Sequence, residues 1–91
     1  MKIIDKEATC EAIRKKILSK GLTPYEIRTA LMLESVQAVY KWLSPKNKTV
    51  PSIDNLFLLS HLLGCTVEEL IVTKDAETVD KKGMSGYNSS V

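Results

Sequence analysis

The chain has 91 residues and a mass of 10.1 kDa, enough for one small core and too little for a second, catalytic domain beside it. Hydrophobic residues make up 44%, charged residues 26% and aromatics 5%, an ordinary globular composition with an aliphatic core that excludes a collagen-like or Pro/Gly-rich chain. The net charge of +2 hides a division: residues 1–50 hold ten basic and five acidic side chains, a net of +5, and residues 51–91 hold three and six, a net of −3.

The opening Met1-Lys2-Ile3-Ile4-Asp5-Lys6-Glu7 has no apolar h-region, so no secretory signal is expected. No apolar run approaches the ~20 residues of a membrane span. The expected location is cytoplasmic. Cys10 and Cys65 fit reduced thiols and are too few for a disulfide scaffold.

Cys10, Ile13, Ile17 and Leu18 recur at helical spacing with Arg14, Lys15 and Lys16 between them. This predicts an amphipathic helix over about 7–20. Lys20-Gly21 ends it, with a cation in the last turn and a glycine suited to the left-handed position beyond it. In Thr23-Pro24-Tyr25-Glu26, Thr23 caps the next helix, Pro24 takes its first position and Glu26 completes a capping box. That helix is expected at 24–31, with Ile27, Ala30 and Leu31 inward. Leu33-Glu34 is a connector. Ser35 is read as the cap of a third helix at about 36–43, with Val39, Trp42 and Leu43, or a subset of them, inward.

Ser44-Pro45-Lys46-Asn47-Lys48-Thr49-Val50-Pro51 carries two prolines among turn formers and reads as a loop. Ser52 caps a fourth helix, about 53–63, with Ile53, Leu56, Phe57, Leu59, Ser60 and Leu63 on or near one stripe, closed by Gly64. Thr66-Val67-Glu68-Glu69 is a second capping box and opens a short fifth helix ending near Leu70-Ile71. No strand is expected. Residues 73–91, with a Ser/Asn-rich end, are read as a flexible polar tail after a domain at 1–72.

Little here suits catalysis. His61 is the sole histidine, and the helical period turns it to solvent. One histidine and two scattered cysteines do not make zinc-ligand spacing. There is no phosphate-cradling glycine motif, and Glu68 and Glu69 serve as first-turn helix acids. Neither an enzyme nor a cofactor or metal site is expected.

The helix pair 24–31 and 36–43 forms a helix-turn-helix unit on a platform of the other three. In the second of these helices Val39 and Trp42 anchor one face, leaving Val36, Gln37, Tyr40 and Lys41 on or beside the other. Glutamine can hydrogen-bond an adenine edge in bidentate fashion. Val36 or Ala38 can meet a thymine methyl, and Lys41 and Tyr40 suit guanine or phosphate. Surface residues of a short helix would look the same, but three neighbours favour a polyanion. Lys46 and Lys48 follow with no acid between Lys41 and Asp54. The start of the second helix offers backbone N–H groups at Thr23 and Tyr25. Arg28 lies on that helix's exposed side.

Ile13 to Ile71, about two-thirds of the chain, resembles the phage-repressor and Cro-type helix-turn-helix family, the xenobiotic-response-element class. The carriers are Gly21-Leu22-Thr23-Pro24-Tyr25-Glu26-Ile27, Gln37-Ala38-Val39-Tyr40-Lys41-Trp42, Pro51-Ser52-Ile53-Asp54-Asn55-Leu56 and Leu62-Leu63-Gly64-Cys65-Thr66-Val67-Glu68-Glu69-Leu70, in order and at near-family spacing. The chain departs from the family at Arg28, where a small residue is usual, and at Met32, where glycine is usual. Leu43 stands where an acid is common, the turn is about one residue longer, and the loop at 44–50 is longer too.

The resemblance implies an all-α, compact five-helix, lambda-repressor-like fold whose third helix enters the major groove of double-stranded DNA. The expected base-contacting residues are Ser35, Val36, Gln37, Ala38, Tyr40 and Lys41. The expected backbone contacts are Thr23, Tyr25, Arg28, Lys46, Asn47 and Lys48. The function so implied is a sequence-specific transcriptional regulator, a repressor, acting as a homodimer when bound to DNA. Two alternatives stand beside it. One is the antitoxin of a toxin–antitoxin pair, binding its own promoter and holding a toxin partner through its tail. The other is a protein-interaction module without DNA binding, using Val36, Leu43 and Leu58 as an apolar patch.

Overall fold

The computed structural model describes residues 1–76. In chain order these are strand β1 (Lys2–Ile4), helices α1 (Lys6–Lys20), α2 (Pro24–Leu31), α3 (Gln37–Leu43), α4 (Ile53–Leu63) and α5 (Val67–Leu70), and strand β2 (Thr73–Asp75). The protein is mostly helical, with a small two-stranded sheet. No helix among the described residues is long and apolar enough to cross a membrane.

The local punctuation acts as the residue types require. Gly21 and Gly64 take left-handed φ of 70° and 72° after α1 and α4. Thr23 Oγ1 accepts from the Glu26 N–H at 3.1 Å while Glu26 Oε1 accepts from the Thr23 N–H at 2.8 Å. Thr66 and Glu69 repeat this reciprocal cap at 3.2 and 2.8 Å. Ser52 caps α4 through the Asn55 N–H at 3.3 Å. Met32 ends α2 at φ 57°, ψ 41°, the left-handed conformation that glycine ordinarily fills.

The core joins Ile13 and Ile17 of α1, Ile27 and Leu31 of α2, Val39 and Trp42 of α3, Leu56, Leu59 and Leu63 of α4, and Leu70 of α5. All five helices therefore contribute, and α1 and α4 form the support against which the short α2–α3 pair is held.

Several expectations need correction. The fold is not strictly all-α: β1 pairs antiparallel with β2 in the register Lys2–Asp75, Ile3–Lys74, Ile4–Thr73. Thr73, Lys74 and Asp75, expected in the tail, are thus strand residues, and the Ala76 N–H donates to the Met1 carbonyl at 2.8 Å; positions 77–91, the remainder of that tail, lie outside the described residues. Leu18 is 62% exposed because its position turns away from the Ile13–Ile17 face. Ala30 is exposed at the margin of the face set by Ile27 and Leu31. Ile53 and Phe57 are 78% and 55% exposed. They run four residues apart along a row displaced around α4 from Leu56, Leu59, Ser60 and Leu63. Val36, not Ser35, is the N-cap of α3, and it makes no side-chain cap bond.

Candidate nucleic-acid interface

Helix α3 is seven residues long, and its orientation follows from two anchors. Val39 is fully buried and Trp42 is 6% exposed. At 100° per residue, Gln37, Tyr40 and Lys41 then fall within about 100° of arc on the opposite side. All three are exposed. The face thus presents an amide, a phenol and an ammonium group, with no acid in the first turn.

Two of the other expected base-contacting residues, Val36 and Ala38, are less available. Val36 is half-buried and its carbonyl accepts from the Val39 and Tyr40 N–H groups at 3.0 and 3.1 Å. Ala38 is half-buried against the core. Ser35 is exposed, and its hydroxyl accepts from the Gln37 N–H at 3.4 Å. Five residues, 32–36, separate α2 from α3.

The start of α2 offers less to an anion than its sequence suggests. Its capping box uses the Thr23 and Glu26 N–H groups and sets the Glu26 carboxylate there. Ile27 donates to the Thr23 carbonyl at 3.1 Å, and Pro24 has no N–H. Tyr25 supplies the one remaining first-turn N–H, and its ring is 62% exposed. Arg28 is exposed on the same helix.

The loop after α3 is built, not slack. Ser44 donates its N–H to the Lys41 carbonyl and accepts from the Asn47 N–H, both at 3.1 Å. The Asn47 amide donates to the Thr49 carbonyl at 2.9 Å and accepts from the Thr49 N–H at 3.1 Å. Its Nδ2 also lies 3.8 Å from Cys10 Sγ on α1. Asn47 is therefore occupied in shaping the loop. Pro51 is buried at the loop's far end. Lys46 is exposed and has no acidic partner among the described residues.

Lys48 differs. Its Nζ meets Glu7 Oε2 of α1 at 2.7 Å, with both side chains mostly exposed. The hydrogen bond and the charge of Glu7 raise the Lys48 pKa above its ordinary value. Glu7 is not one of the contact residues that the sequence points to. It lies 41 positions from Lys48, and no local pattern signals a pair so distant.

Beneath this loop, a cavity of about 210 Å³ is lined by Glu7, Cys10, Glu11, Arg14, Pro45, Asn47 and Lys48. Burial raises the Cys10 thiol pKa, which disfavours the nucleophilic thiolate. Among the described residues no cluster of histidine, cysteine and carboxylate side chains could hold a metal ion.

No family model, curated protein or solved structure matches the chain.

Proposed function

We propose that this chain is a sequence-specific double-stranded DNA-binding transcriptional regulator, a repressor of lambda-repressor-like architecture, that lays α3 in the major groove. The observation that carries the reading is the outward face of α3. Gln37, Tyr40 and Lys41 stand together opposite the buried Val39 and Trp42, on a short helix paired with α2. The base-reading roles fall first to Gln37, Tyr40, Lys41 and Ser35, with Val36 and Ala38 at the margin for methyl contact. Lys46 and Arg28 supply exposed cations for the phosphate backbone, and the Tyr25 N–H supplies one neutral donor. A homodimer on two half-sites about one helical turn apart is the assembly such a module uses. The reading includes no catalytic step, and its setting is the nucleoid.

Titration of fluorescent duplex fragments, including the region upstream of its own gene, tests this. Binding that weakens linearly in log–log form with salt supports it. Absence of salt-sensitive binding to every duplex overturns it.

A second reading draws support from α4. Ile53, Phe57 and Leu58 are 78%, 55% and 39% exposed, and Phe57 lies against His61 with ring centroids 4.4 Å apart. This apolar row supports a protein-contact module. It replaces the patch expected at Val36, Leu43 and Leu58, because Val36 and Leu43 are half-buried. Salt-sensitive duplex binding favours the first reading, and a flat salt response in the DNA titration favours the second.

A further inference from the structure

We propose that Glu7 is an intramolecular competitor for DNA phosphate, occupying Lys48 and setting the affinity and salt response of the basic loop. The inference rests on the DNA reading of α3 and its following loop.

The argument starts from charge. A lysine strengthens polyanion binding by releasing a condensed counterion, which requires net positive charge at the phosphate. Lys48 Nζ lies 2.7 Å from Glu7 Oε2, so the pair as a unit is neutral. Lys46, two residues earlier, carries no such partner among the described residues. Two lysines that look equivalent in sequence are therefore unequal in the fold.

The bridge could instead serve to hold the loop in place, but the loop has its own supports. Asn47 closes on Thr49 through both ends of its amide and reaches Cys10. Ser44 bonds to Lys41 and Asn47. Pro51 is buried. An exposed ion pair adds little to such a frame, so the chief consequence of Glu7 is electrostatic.

The surroundings add to this. Glu7 and Lys48 line an open groove with Ile3, Asp5, Lys6 and Lys74. Asp5 is already engaged, capping α1 through the Ala8 N–H at 3.0 Å. Neutralising Glu7 would leave Lys6, Lys48 and Lys74 as the dominant charges there.

The test compares the wild type, Glu7→Gln and Glu7→Gln/Lys48→Ala, with thermal melts confirming that each is folded. The probe is a mixed-sequence duplex of about 20 bp, followed by anisotropy across a salt series. Glu7→Gln is expected to bind roughly two- to fivefold more tightly at low salt, with the log–log salt slope steeper by about 0.9. Both gains should vanish when Lys48→Ala is added. Salt-sensitive binding by the wild type with an equal or weaker Glu7→Gln overturns this inference and leaves the DNA reading standing. Gains that survive Lys48→Ala overturn it as well. Absence of salt-sensitive binding by wild type and variants alike overturns both.

Discussion

The Thr9 hydroxyl makes a reciprocal pair of hydrogen bonds with the backbone of Val72, accepting from its N–H at 2.9 Å and donating to its carbonyl at 3.3 Å. The two residues lie 63 positions apart, and Thr9 is fully buried. Next to this clasp the Asp5 N–H donates to the same Val72 carbonyl at 2.7 Å, and β1 and β2 pair outward from there. The strands themselves are exposed at every position, so little burial holds them. Thr9→Val keeps shape and removes the hydroxyl, leaving the Val72 N–H without its partner. The expected cost is about 1–3 kcal/mol in urea unfolding, with faster amide exchange at residues 2–4 and 73–75. An unchanged midpoint and unchanged exchange would contradict this role.

Met32 offers a change in the opposite direction. At φ 57° it holds a conformation that disfavours a Cβ, and its side chain is 87% exposed and adds little packing. Met32→Gly is expected to stabilise by about 1 kcal/mol, and the β-branched Met32→Val to destabilise. The urea midpoints, at constant m, decide the matter.

Much of this architecture is legible in the sequence, and the reason is locality. Gly21, the Thr23–Glu26 box, Ser52, Gly64 and the Thr66–Glu69 box act within four residues of where they stand, so helix ends follow from residue types alone. The α2 face and the Val39–Trp42 anchor follow from the 3.6-residue period. The sheet is different. Its three-residue strands are too short for an alternating pattern, and their pairing joins the two ends of the described chain. The Glu7–Lys48 pair stays hidden for the same reason. Leu18, Ile53 and Phe57 mislead because apolar character fits a core and an exposed flank equally well. At the candidate interface the sequence identifies the outward face of α3, but it does not show that Asn47 is consumed by its own loop or that Glu26 occupies the start of α2.

The second capping box predicts an acid dependence of stability. The Thr66 backbone hydrogen bond holds the Glu69 carboxyl below its ordinary 4.5. A folded pKa depressed below the unfolded value adds stability that is complete above the unfolded value and lost as pH falls through the folded one. Unfolding between roughly pH 5 and 3 should therefore show a component that Glu69→Gln removes. Identical pH profiles for the two proteins would contradict it.

The two thiols should react at different rates. Cys10 is 6% exposed with a raised pKa, whereas Cys65 is half-buried. With a chromogenic disulfide at mildly alkaline pH, Cys65 is expected to react first, and Cys10 only as the chain opens. Equal rates in the folded protein would show that the loop at 44–50 does not cover Cys10.

Side chains of the interface should separate by role. Lys46→Ala is expected to weaken all duplexes alike and to lower the salt slope by about 0.9. Gln37→Ala should relax discrimination at one base position, at a cost of about 1–3 kcal/mol there. Competition titrations with single-base variants of a bound duplex distinguish the two patterns.

Selection of bound duplexes from a random-sequence library, run in parallel with wild type and Gln37→Ala, tests the central claim most directly. The reading of α3 as a base-recognition helix predicts a two-fold-related motif from the wild type, and from Gln37→Ala the same motif with one symmetric pair of positions relaxed. Recovery of no motif from the wild type, or of an identical motif from both proteins, would contradict it.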